Sequence, residues 1–296
     1  MKINPILIKE LKVRARSVHI PIFVMVYNGV LALIGIFMLI SSMDMLKVKG
    51  QLDYGQMNDM FLAIGIIQCV MVILVALSVS ASSFSSEKER GTLDLLLMTP
   101  VSTLEVVNGK LLSCVLTVFL LSFSSLPILL LGTIYGGTDL SDVLFLMLVL
   151  VILAFAISAR GILWSIVFDK TSVAMIFALL TEILFFVGPF VLLEFMNAFL
   201  YNGYQYGTME IPATAVSLVF QFFNPLFLIG GFCEQAAGNK AMMDFFTIEY
   251  GIMEGSRFYQ WLEQYFVIGC AVAQMTFTLV LHLINIKILK KGRNIL

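Results

Sequence analysis

The chain has 296 residues, of which 60% are hydrophobic and only 12% charged. Soluble domains run near 25% charged, and 25 Phe with 17 Met exceed what a water-soluble core of this size hides. A bilayer is the simpler solvent, and a net charge of −1, with no basic cluster alternating with exposed aromatics, gives no hint of a nucleic-acid partner.

Residues 1–19 carry scattered basic residues, and the apolar run behind them is too long for a signal-peptide core. Asn4 to Ser17 sets Ile6, Leu7, Leu11 and Val13 among basic residues and reads as an interfacial helix; the alternative is a plain basic anchor. Six spans follow, at about 20–42, 61–84, 107–131, 143–168, 172–196 and 264–289, so the expected class is an all-α integral membrane protein with a single permease domain. Only Asp169 and Lys170 with their flanks divide the fourth span from the fifth, which requires a tight hairpin. With both termini in the cytoplasm, 14 of the 18 basic residues lie inside; Lys47, Lys49, Lys240 and Arg257 lie outside.

The 197–263 segment then lies outside the cell. Its apolar run from Ile211 to Phe232 is interrupted at Asn224–Pro225 and Gly230–Gly231, and is expected to dip into the membrane and return; a seventh span is the alternative. Cys69, Cys114, Cys233 and Cys270 suggest no disulfide framework. No His/Cys spacing suggests a metal site, and no nucleophile elbow suggests a hydrolase.

The loop at 85–106 is the one cytoplasmic loop large enough to fold. Ser86 with Glu89, and Ser102 with Glu105, have capping-box spacing. A short apolar helix is expected over Thr92–Met98, with Pro100 separating it from the next. Its leucines are too few to span, so they suit a protein groove or the lipid interface.

The pattern E-x-E-x-G-T-L-x-x-L, then a proline, then G-K entering a span, is set by Glu87, Glu89, Gly91, Thr92, Leu93, Leu96, Pro100, Gly109 and Lys110. It resembles the ABC type-2 permease family. The resemblance implies a coupling loop docked on an ATPase subunit, with Glu87, Glu89, Arg90, Gly91, Thr92, Leu93, Leu96 and Pro100 as coupling residues. It implies that the N-terminal helix is a connecting helix and that outer-leaflet helices precede the last span. It also implies export from the cell membrane and a second permease, identical or related. No G-x-x-x-x-G-K-[ST] occurs, so ATP and Mg belong to a separate partner and the chain itself needs no cofactor.

Two charges fall inside spans. At 1.5 Å per residue, Arg160 lies roughly 14 Å from the hairpin turn and Glu182 roughly 18 Å. Depths within one helical turn suggest an ion pair; the alternative makes Glu182 a substrate or proton site. An ion-coupled secondary transporter working through Glu182, and a non-transporting scaffold or immunity protein, are the rival functions.

Overall fold

The computed structural model describes residues 4–49, 54–98, 100–134, 139–205, 213–238, 240–250, 252 and 255–293. Every regular element among them is helical. The basic N-terminal segment forms α1 (Pro5–Ala15), started by Asn4, whose Oδ1 accepts from the Ile6 N–H at 3.0 Å, and by Pro5 in the first turn. Ile6 and Leu7 are buried; Ile8 and Val13 are exposed.

Among the described residues, six helices have the length and apolarity to cross a membrane. They are α2 (His19–Lys49), α3 (Tyr54–Ala81), α6 (Thr103–Ser124), α8 (Leu140–Val167), α9 (Thr171–Gln205) and α13 (Arg257–Arg293). Two short helices, α4 (Ser85–Glu89) and α5 (Leu93–Leu97), join α3 to α6. Each expected span falls on one of the six, and three residues separate α8 from α9, as the hairpin requires.

The third span contains a break that hydropathy does not reveal. Helix α6 stops at Ser124 and α7 (Leu126–Ile134) follows. Ser122, Ser124 and Ser125 each return a hydroxyl to a carbonyl three or four residues back, which competes with the helical ladder. The same hydroxyls receive neighbouring helices: Asn28 Nδ2 donates to Ser124 Oγ at 2.8 Å, and Gln68 Nε2 to Ser125 Oγ at 2.9 Å. These are the interhelical bonds expected of single polar residues on apolar helices.

The helices form two compact units, residues 1–178 with 278–296, and residues 179–277. In the first, α3 and α8 meet where Gly161 faces Ser80; a Cβ on Gly161 would stand 2.8 Å from Ser80 Cβ and 3.3 Å from the Ala81 nitrogen. Helix α1 lies on α6 at Gly109, where an added Cβ would be 3.1 Å from Ile6 Cβ. The end of α13 belongs to this unit: Asn285 Nδ2 donates to the Ala159 carbonyl at 3.0 Å, and His282 meets Asn108.

The second unit holds the remainder of α9, the start of α13, and three short helices, α10 (Ala213–Gln221), α11 (Pro225–Ala237) and α12 (Ala241–Tyr250). Asn224 caps α11, its Oδ1 accepting from the Leu226 N–H at 2.9 Å, so the expected interruption at Asn224–Pro225 is present. The interruption expected at Gly230–Gly231 is absent. Helix α11 runs through both glycines, and Gly231 instead permits a close approach to Val267 of α13. At 13 residues α11 is too short to cross, so it makes no seventh span. The start of the run, Ile211, lies outside the described residues.

Candidate coupling site

The α3–α6 connection is built from its own backbone requirements. Helix α4 ends in a Schellman motif: the Thr92 N–H donates to the Glu87 carbonyl and the Gly91 N–H to the Lys88 carbonyl, both at 2.9 Å. Gly91 takes φ +64° to allow it. Nothing lies within 4 Å of where its Cβ would be, so the glycine serves the backbone angle and not a close approach. The G-T part of the motif is thereby a helix stop. The Ser102–Glu105 capping box forms as expected and starts α6.

The Ser86–Glu89 capping box does not form. Helix α4 begins at Ser85, and its first N–H groups are taken by a hydroxyl from far along the chain: Ser165 Oγ accepts from Phe84 at 2.7 Å and Ser85 at 2.9 Å. Glu89 is thus available elsewhere. Its carboxylate accepts from the Thr171 N–H and Thr171 Oγ1, both at 2.8 Å, and so caps the start of α9. Lys88 donates to the Ile166 carbonyl at 2.6 Å and pairs with Asp169 at 3.2 Å. Helix α4 is therefore bound to the end of α8 and the α8–α9 turn at its start, through Ser165, and at its end, through Lys88 and Glu89.

Glu87 points to the other neighbour. Its carboxylate lies 3.1 Å from Lys110 Nζ and 3.8 Å from Lys9 Nζ. Lys110 is only 2% exposed and also reaches Glu10 at 3.4 Å and the Ser83 carbonyl at 2.6 Å, with its ammonium 4.8 Å from the Phe84 ring centroid. One lysine on α6 thus joins α1 and α4.

The remaining expected site residues divide by face. Leu93 and Leu97 are buried, and Leu96 is half-buried. Arg90, Gly91, Thr92, Asp94 and Pro100 are exposed, and Leu95 and Met98 are 67% and 72% exposed. Arg160, 2% exposed, sits in α8 of the first unit; Glu182, 3% exposed, sits on α9 in the second. Sequence reasoning assigned no role to Lys110, although it stands in the motif, and missed Ser165 and Thr171, which lie about 80 residues from their partners.

The sequence matches the profile of the ABC-2 family transporter proteins across residues 5–285. The chain belongs to the ABC-2 family. Comparison with individually curated proteins finds no match. As an ABC-2 protein it is a multi-pass membrane subunit of an ABC transporter, a transport component of a family that works with an ABC ATPase. Among the described residues of this ABC-2 chain, no cluster of His, Cys, Asp or Glu could hold a metal ion.

Proposed function

We propose that this single-domain permease exports an amphipathic or hydrophobic substrate across the plasma membrane, driven by ATP and Mg on a separate ATPase subunit. The carrying observation is the outward face of α4–α5. Leu95, Met98, Arg90 and Asp94 project from an element whose other face is fastened to α1, α6 and the α8–α9 turn. An apolar tip ringed by charge suits a groove on a soluble protein better than water. A tip so fastened moves its attachments when it is moved. Closure of the paired ATPases would then displace helix ends and open the spans alternately to each side. The second permease is another copy of this chain or a related one, and the excess of basic residues on one side supports both termini in the cytoplasm. The scarcity of charge in the spans supports an apolar cargo.

Leu95→Glu with Met98→Glu tests the reading. Both side chains are exposed, so yield and melting should match the wild type. Affinity for the co-purified ATPase should fall by about 2–4 kcal/mol, the loss expected at an apolar interface centre. Undiminished ATPase capture and stimulation by this variant would overturn the reading.

Burial of Arg160 and Glu182 supports a second element of the proposal, an ion pair tying α8 to α9. Arg160→Gln and Glu182→Gln should each lower the folded yield, and the double variant should lower it by less than the two losses combined. Full yield with abolished transport in Glu182→Gln alone would make Glu182 a substrate or proton site instead.

A further inference from the structure

The second unit contains a carboxylate that the coupling site does not use. Glu234 of α11 lines a cavity of about 300 Å³ whose walls include Phe190, Phe227, Met242 and Phe245. The three rings form a closed triangle: Phe190 to Phe227 is 5.8 Å between centroids, Phe190 to Phe245 is 5.8 Å, and Phe227 to Phe245 is 5.7 Å. The Glu234 carboxylate accepts from the Met243 backbone, but its Oε1 is buried and has no hydrogen-bond partner among the described residues. Burial pushes this carboxyl above the usual carboxylate range, and nearby Asp244 and Glu263 push it further. The neighbouring cation, Lys240, is engaged by Glu263 at 2.6 Å. A buried acceptor without a partner is costly, and such groups in native proteins usually have a use.

An organic cation satisfies every one of these features. Its charge would ionise and neutralise Glu234, and its alkyl groups would lie against ring faces whose quadrupoles attract positive charge. A metal ion fits poorly, because hard cations require several oxygen ligands and the cavity wall offers one carboxylate. We propose that Glu234, Phe190, Phe227 and Phe245 form a binding site for an organic ammonium ion carrying an apolar group. As a step in transport the site rests on the function proposed above and narrows its amphipathic cargo to cations; as a binding site it does not depend on that function.

The test uses the full-length chain in neutral maltoside micelles, without an ATPase. Benzyltrimethylammonium is titrated by ligand-observed NMR beside neopentylbenzene, which replaces the charged nitrogen by carbon at constant shape. The wild type should bind the cation about tenfold more tightly than the neutral compound. Glu234→Gln should bring the cation down to the neutral compound's affinity and leave the latter unchanged. Phe245→Leu, which retains the carboxyl, should weaken the cation several-fold. Equal affinity for the two compounds in the wild type, or an unchanged cation affinity in Glu234→Gln, would sink the proposal. If Glu234→Gln does not yield monodisperse protein, full cation affinity in Phe245→Leu overturns it instead. Because no ATPase is present, a negative result leaves the transporter reading standing. Loss of ATPase capture in separate experiments would remove that reading without touching the site.

Discussion

Lys110→Met is expected to lower stability by about 2–3 kcal/mol and to uncouple α1 from α4, with Tm falling by about 5–10 °C. The lysine ammonium pairs with both Glu10 and Glu87, more closely with Glu87 than Lys9 does at 3.8 Å, and it also donates to the Ser83 carbonyl. Its removal takes from Glu10 and Glu87 the buried ammonium they share, leaves Glu87 to the more exposed Lys9, and strips the Ser83 carbonyl of its donor. The loss is set below that of a fully buried pair because both glutamates retain some solvent. Adding Glu87→Gln to the variant removes one of the two carboxylates that lost the ammonium, so the double variant should recover part of the melting loss. Stimulation of the partner ATPase by substrate should remain depressed in both, because the link from α6 to α4 is gone. A single variant that melts within about 1 °C of the wild type and stays coupled would show that Lys110 is a bystander.

Gly161→Val is expected to be the most damaging single substitution in the first unit, costing about 3 kcal/mol or more and largely abolishing folded protein. Even the first added carbon would stand 2.8 Å from Ser80 Cβ and 3.3 Å from the Ala81 nitrogen. The second neighbour is backbone and cannot rotate away, so α3 and α8 must separate. Ser80 itself is fully buried and donates its hydroxyl to the Ala76 carbonyl at 2.6 Å. Exchanging the small residues, Ser80→Gly with Gly161→Ala, should restore part of what Gly161→Ala loses, as read by the monodisperse fraction after mild heating. Gly161→Val with wild-type yield and Tm would show that the two helices are not held by this contact.

The parts of this molecule that depend on local pattern were legible in the sequence. Six apolar runs became six spanning helices, and the hairpin at Asp169–Lys170 followed from the lack of room between two of them. The Ser102–Glu105 box was legible because both partners sit in one turn. The Ser86–Glu89 spacing is identical, yet Glu89 serves Thr171 and the α4 N–H groups are met by Ser165. A spacing rule cannot weigh a near partner against one 80 residues away, and the distant one prevails here because α3 and α8 are in close contact. Gly91 was recognised from the motif, but its reason, a left-handed residue ending a helix, becomes clear only from the backbone. Gly231 misled in the opposite direction: a glycine pair suggests a break, while the helix uses the missing side chain for closeness to Val267. Lys110 stood in plain view at the mouth of a span, and its three partners come from two separate stretches of chain, one in α1 and one at residues 83–87.

The first unit is completed by residues 278–296, which the ribosome makes after the whole of the second unit. Until they emerge, Asn285 cannot reach the Ala159 carbonyl and His282 cannot reach Asn108. The nascent first unit therefore waits in the membrane with one flank open throughout synthesis of about a hundred intervening residues. Assembly of the first unit must finish after the second has been made, and chains truncated before Thr278 are incomplete in the first unit as well as beyond it.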